Sequence, residues 1–283
     1  MLAPLEDYSG PAFRSLCHKY GADLTFTEMV RVEGTVRNNK ATLSKLCFPD
    51  NTPIQIQFLI GNENQLEKYL SSFKSFDGFE GFNLNLGCPS AEIIKAGRGA
   101  GMVKRLSKAQ RTVAIVKKQN HPVSIKMRLG ANALEKSYKV YLRLIQNVDV
   151  DFFIVHPKHG MVTSDEPTDD LVYLECVDAA KARGIPIIAN GGIDSKQKID
   201  WLKSIGVGGA MIGRAAITNP SIFNLLLDKK VPSKEALTKE YAELSKKLGE
   251  KEKYLNNYLK WASPEKRSNY LLSLEKKKSD RQK

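Results

Sequence analysis

Eight apolar runs of strand length recur along the chain, with helix-like segments between them, and this alternation limits the possible folds more than any other feature. The runs are MLAP (1–4), LTFTEMV (24–30), PIQIQFLI (53–60), GFNLNL (81–86), PVSIKMR (122–128), FFIVH (152–156), IPIIAN (185–190) and GGAMIG (208–213). Most are nearly continuous in apolar residues, as strands covered on both faces are in parallel sheets. Between them, residues 107–120 place Val113, Ile115 and Val116 on one side of a helix, with Ser107 as its expected N-cap. Residues 195–206 begin at Ser195 and stop at Gly206, a cap residue at each end. Eight such units predict an α/β fold, a closed (β/α)8 TIM barrel over residues 1–228. A doubly wound open sheet is the alternative, but the first strand–helix turn lacks the glycine-rich dinucleotide fingerprint.

Composition shifts after residue 228. DKKVPSK (228–234) reads as a linker, and residues 234–283 carry 14 Lys/Arg against 8 Asp/Glu. Leu237, Tyr241, Leu244 and Leu248 share a helical face. Ser263-Pro264 reads as the start of a further helix with Tyr270, Leu271 and Leu274 on its buried side, and the last residues are expected to fray. Residues 234–283 are therefore expected to form a small basic helical domain. The whole chain has 44 Lys/Arg and 31 Asp/Glu, a formal charge of +13, which favours a polyanionic partner such as nucleic acid or an anionic membrane surface. No apolar run is long enough to span a bilayer, and the N-terminus turns polar within a few residues. The expectation is a cytoplasmic protein without a membrane anchor. The four cysteines, Cys17, Cys47, Cys88 and Cys176, stand singly with no CxxC pair, which argues against a zinc ribbon, an iron–sulfur cluster or a disulfide framework. No metal site is expected.

In a barrel the chemistry sits at the C-terminal ends of the strands. Those ends carry Ala3-Pro4, Glu28, Gln57, Asn85 to Cys88, Lys126 with Arg128, His156, Asn190-Gly191-Gly192 and Gly213-Arg214. Nearly every strand delivers a polar, charged or glycine residue at one end of the molecule. The glycines after the seventh and eighth strands suit a phosphate, whose oxygens accept from exposed backbone amides. Lys126 lies inside an apolar strand and needs an anion or a counter-charge, for which Glu28 is the expected internal partner. Lys158 and His159 make the neighbourhood of His156 basic.

Several stretches, in order, resemble the tRNA-dihydrouridine synthases: APLEDYSGPAFR (3–14), TEMV (27–30), NLGCP (85–89), GRGAGMV (97–103), KMR (126–128), VHPK (155–158), IIANGGI (187–193) and MIGRAAITNPSIF (211–223). The resemblance runs from residue 3 to about residue 225. It implies a flavin enzyme that holds FMN at the top of a (β/α)8 barrel, takes electrons from NADPH or NADH, and reduces carbons 5 and 6 of uridine in tRNA. It implies FMN contacts from Ala3, Pro4, Leu5 and Gln57 at the ring, and from Lys126 and His156 at the polar edge or ribityl chain. It implies a phosphate site at Asn190, Gly191, Gly192, Gly213 and Arg214. Asn85 and Arg128 would meet the substrate, and Cys88 would be the general acid. The tail would be the tRNA-binding domain, with no obligate protein partner. The chain departs from the family pattern at Leu5, usually Met, at Gly192, often Asp, and at Lys158, usually arginine.

The chemistry explains why Cys88 stands directly before Pro89. Saturating a pyrimidine double bond needs a hydride on one carbon and a proton on its neighbour, delivered within hydrogen-bond reach. A thiol, with an ordinary pKa of about 8.5, still carries its proton at neutral pH. Pro89 is expected to stiffen the loop, and Gly87 to let it turn sharply. Two other functions remain open on sequence: an FMN barrel acting on a free pyrimidine, as dihydroorotate dehydrogenases do, and a basic barrel that binds tRNA without chemistry. The excess of positive charge favours RNA over a free base.

Overall fold

Three of the expected strands carry a proline at or near their start, and in the structure each strand begins directly after it. In this computed structural model, which describes residues 1–163 and 166–262, the strands are β1 (Thr25–Phe26), β2 (Val30–Arg31), β3 (Ile54–Leu59), β4 (Phe79–Leu86), β5 (Val123–Met127), β6 (Phe153–Val155), β7 (Ile187–Asn190) and β8 (Gly209–Met211). Pro53, Pro122 and Pro186 stand just ahead of β3, β5 and β7. A proline has no N–H for a sheet ladder but keeps its carbonyl. Each carbonyl accepts from the preceding strand: Thr25 N–H to Pro53 at 2.9 Å, Phe82 N–H to Pro122 at 2.9 Å, and Phe153 N–H to Pro186 at 3.0 Å.

The sheet is parallel throughout and runs β1-β3-β4-β5-β6-β7-β8, with β2 pairing further along β3. Residues 1–3 close it into a cylinder. Leu2 bridges to Ile212 beyond β8, Ala3 N–H donates to the Ile212 carbonyl at 2.8 Å, and Ile212 N–H donates to the Met1 carbonyl at 2.9 Å. On its other side Leu2 N–H donates to Leu24, next to β1, at 2.9 Å. The MLAP run thus supplies the eighth stave, and the closed barrel stands in place of the open sheet. The expected strand at 24–30 is split into β1 and β2.

Side-chain alternation divides the barrel into two layers. Ile56, Phe58, Phe82, Leu84, Ile125, Met127, Phe153, Val155, Ile187 and Ala189 belong to the main core cluster, which also contains the buried faces of the surrounding helices. A second cluster, Ala3, Phe26, Ile154, Ile188 and Met211, fills one side of the interior. The other side, on β3 to β5, is lined by buried Gln55, Gln57, Asn83 and Ser124.

Ser195 caps the helix Lys196–Ser204 as expected, its Oγ accepting from Lys198 N–H at 3.4 Å. Ser107 does not cap its helix. The helix spans Leu106–Lys118 with Arg105 at the N-cap, because Leu106 packs on the core and brings the first turn in with it. In the tail, Ser233 caps the helix Lys234–Lys247, whose face buries Leu237 and Tyr241, and Glu252–Ala262 follows. Both helices dock on the barrel's first helix, Pro11–Lys19: the Phe13 ring lies 5.7 Å from Tyr241 and 6.3 Å from Tyr258. Glu250 joins them, accepting from Ala12 N–H at 3.0 Å and Tyr241 Oη at 2.8 Å. Ser263-Pro264, Tyr270, Leu271 and Leu274 lie outside the described residues. Among the described residues, no helix is long and apolar enough to cross a membrane.

Candidate functional site

The loop bearing Cys88 is shaped by its neighbours. β4 ends at Leu86, and Asn85 folds its side chain over the following turn: Oδ1 accepts from Gly87 N–H at 3.1 Å and Cys88 N–H at 2.9 Å. Behind it, the Cys88 carbonyl accepts from Ala100 N–H at 3.1 Å. Gly99, at φ +53°, makes that approach possible, since a Cβ there would sit 2.7 Å from the Cys88 carbonyl oxygen and 2.9 Å from its Cβ. Gly87, expected to make the sharp turn, has no left-handed backbone, and a Cβ there would meet nothing closer than 3.5 Å. The turn is therefore made by the Asn85 side chain and permitted by Gly99. Cys88 itself is half-buried.

Asn85 is the upper end of a chain of hydrogen bonds inside the barrel. Asn85 Nδ2 donates to Gln57 Oε1 at 2.7 Å, and Gln57 Nε2 to Asn83 Oδ1 at 2.7 Å. Asn83 Nδ2 donates to Ser124 Oγ at 2.7 Å, Ser124 Oγ to Gln55 Oε1 at 2.5 Å, and Gln55 Nε2 to the Glu80 carbonyl at 3.0 Å. Every amide faces one way along this chain, so each buried polar group finds a partner. Sequence reasoning missed Gln55, Asn83 and Ser124. Their signal was the two-residue alternation of QIQ, NLN and SIK, which puts polar side chains on one wall.

Next to this wall stand the cations. Asn85 and Lys126 are partners in the register of β4 and β5. Burial, with repulsion from Arg128, lowers the Lys126 ammonium to about 8 against a smaller opposing pull from Cys88. The ammonium makes no hydrogen bond or ion pair among the described residues. Glu28, its expected partner, is taken elsewhere: Oε1 accepts from Asp7 N–H and Oε2 from Tyr254 Oη at 2.6 Å. The His156 imidazole is lowered to about 2 by burial and then by Lys126, Arg128, Lys158 and Arg214, so it is neutral over the physiological range. Arg128 Nη1 donates to the carbonyls of His159 at 2.8 Å and Val162 at 3.1 Å, and Lys158 Nζ donates to those of Thr163 at 3.0 Å and Glu166. Both cations thus fasten the loop after β6.

Asn190 ends β7 with its Nδ2 on the Met211 carbonyl at 2.9 Å, tying β7 to β8. Gly191 follows at φ +115° under the His156 ring, where a Cβ would lie 2.7 Å from His156 Cδ2. Gly213 lies against the N-terminal segment, with Ala3 Cβ and Leu5 Cδ2 each 3.6 Å from where its Cβ would be. Arg214 opens the helix Arg214–Thr218 and is exposed.

The residues singled out from sequence, Ala3 to Leu5, Gln57, Asn85, Cys88, Lys126, Arg128, His156, Asn190 to Gly192, Gly213 and Arg214, all fall at one end of the cylinder. The set fits FMN. An ammonium without a counter-charge and a neutral imidazole suit the polar edge of a flat heterocycle, and side-chain-free turns after β7 and β8 suit a phosphate.

A family model described as dihydrouridine synthase (Dus) matches residues 1–280. A probable tRNA-dihydrouridine synthase of Helicobacter pylori (strain J99) is 30% identical over 230 residues, covering 78% of this chain and 68% of its own length. The tRNA-dihydrouridine synthase B of Xanthomonas campestris pv. campestris is 29% identical over 228 residues, covering 79% of this chain and 67% of its own length. Among solved structures, a mutant of morphinone reductase in complex with tetrahydroNAD aligns with a TM-score of 0.53 at 10% identity, over 85% of this chain and 89% of that one, a likeness of fold.

Proposed function

The chain belongs to the dihydrouridine synthase family, and from that membership we propose that it is a tRNA-dihydrouridine synthase, a flavin-dependent oxidoreductase that reduces uridines in tRNA to 5,6-dihydrouridine. The observation that carries this reading is the half-buried Cys88, capped by Asn85 at the mouth of a barrel beside a neutral His156 and a Lys126 that is unpaired among the described residues. FMN, when bound, supplies the hydride for one carbon of the base, with NADPH or NADH as the reductant.

This chain's own residues do the rest. Ala3, Pro4, Leu5 and Gln57 line the ring site, Lys126 and His156 hold its polar edge, and Asn190, Gly191, Gly192, Gly213 and Arg214 hold the phosphate. Cys88 donates the proton to the neighbouring carbon of the base. Lys126 and Arg128 place positive charge beside Cys88. Asn85 orients the base: only one of its two amide hydrogens is used on Gln57. Arg128 contributes positive charge beside the substrate while its Nη1 holds the loop after β6.

Residues 1–228 form the catalytic barrel, and the basic segment 234–283 grips tRNA by its phosphates. The target uridine leaves its stack to enter the barrel mouth. The protein works in the cytoplasm, where its substrate is, and needs no obligate protein partner. The reading is tested with purified protein and tRNA from cells lacking it. Wild type is expected to be yellow and to restore dihydrouridine. Cys88→Ala is expected to keep its flavin and lose most of the activity, by about 100-fold or more. Full activity in that variant would remove the assigned acid, and turnover of a free pyrimidine unaffected by tRNA would select the alternative substrate.

A further inference from the structure

The turn that follows Ala3-Pro4 is held from the far end of the chain. Asp7 sits at φ +64°, a left-handed backbone that Asp adopts more readily than most residues with a side chain. Four bonds from the helix Glu252–Ala262 converge on this turn and its support. Lys253 Nζ pairs with Asp7 Oδ1 at 2.8 Å, and Asn257 Nδ2 donates to the Asp7 carbonyl at 3.1 Å. Trp261 Nε1 donates to Tyr8 Oη at 2.8 Å, and Tyr254 Oη donates to Glu28 Oε2 at 2.6 Å. Glu28 is 2% exposed, and its other oxygen accepts from Asp7 N–H. One buried carboxylate thus ties the tail helix to the turn. The turn is braced within itself, because Ser9 Oγ donates to the Leu5 carbonyl at 2.7 Å and accepts from Leu5 N–H at 2.6 Å. At its start Leu5 lies against Gly213.

We propose that Tyr254 and Glu28 are positioning residues through which the C-terminal helix sets the shape of the cofactor mouth, by holding residues 5–9 against the turn after β8. The proposal rests on the flavin reading of that mouth. It makes the tail part of the cofactor site as well as an RNA-binding appendage. Removing the Tyr254 hydroxyl leaves one Glu28 oxygen without its donor inside the protein, and the support beneath the turn loses its one link to the tail helix through Glu28, while the bonds from Lys253, Asn257 and Trp261 remain. Glu28→Gln keeps both links, since the amide oxygen can accept from Asp7 N–H while the amide nitrogen donates to the Tyr254 oxygen.

FMN is titrated into the full-length apoprotein and followed by quenching of flavin fluorescence, with amide hydrogen exchange of residues 5–9 measured in the same apoproteins. Tyr254→Phe is expected to bind FMN about tenfold more weakly and to exchange faster across residues 5–9. Glu28→Gln is expected to stay within about twofold of wild type. Tyr258→Phe is the control: it removes a hydroxyl from the same helix that, among the described residues, reaches only Thr238, at 3.4 Å, and both readouts should stay at wild type. Wild-type FMN affinity in Tyr254→Phe overturns the proposal. So does an equal loss in Tyr258→Phe, which would assign the effect to general loosening of the tail. Should wild type take up no FMN, the flavin reading falls, and unchanged exchange in Tyr254→Phe would separately overturn the clamp.

Discussion

Lys126 shows how a single side chain records what a site is for. Its folded pKa, about 8, lies below the ordinary 10.5, so the unfolded chain binds the additional proton between those values. Stability therefore rises as pH increases through that window and is reduced by this group below pH 8. Lys126→Met is expected to raise the stability of the apoprotein at pH 7 by about 2 kcal/mol, allowing for partial solvent contact, with a gain that fades by pH 10. Thermal melts at the two pH values check this, and an equal effect at both would deny the burial cost. The cost of the lysine could be read from the sequence, because a charge in an apolar strand invites explanation. Its lack of a partner could not: Glu28 was a reasonable candidate until the tail supplied Tyr254 as a competitor for the same carboxylate.

At the scale of elements, strands were the legible part. Their apolar runs were long and bounded, and prolines marked three of their starts. The capping of one helix was misread because a serine near a helix start outweighed a leucine that packs on the core. The interior polar wall escaped notice because QIQ, NLN and SIK look like ordinary alternation until the barrel closes and turns that face inward. Ser124 tests the wall. Ser124→Ala removes both a donor to Gln55 and an acceptor for Asn83. The expected cost is about 1–3 kcal/mol of stability, with reduced activity, since the chain of amides above it ends at the Cys88 turn. Denaturant unfolding reads the first, and single-turnover reduction of tRNA reads the second. Wild-type values for both would mean that the amides reorganise without loss.

For the whole molecule, the basic tail was legible as an appendage but not as a docked one, because its docking depends on Phe13, a residue over two hundred positions earlier. Phe13→Ala removes the ring against which Tyr241 and Tyr258 pack, at an expected cost of about 3–5 kcal/mol. The lysine-rich helices Lys234–Lys247 and Glu252–Ala262 should then be cut by trypsin faster than the barrel, and unchanged cleavage would show that other contacts suffice to dock them.

The seam between residues 1–3 and Ile212 also sets an order of events during synthesis. A stave that appears first must wait for its second neighbour until some 200 further residues have left the ribosome. Through that interval Leu2 has no neighbour beyond β8 to pair with, and the nascent sheet keeps an open edge that other chains could join. Closing that edge removes a route to aggregation in the same step that brings Ala3 and Leu5 up against Gly213.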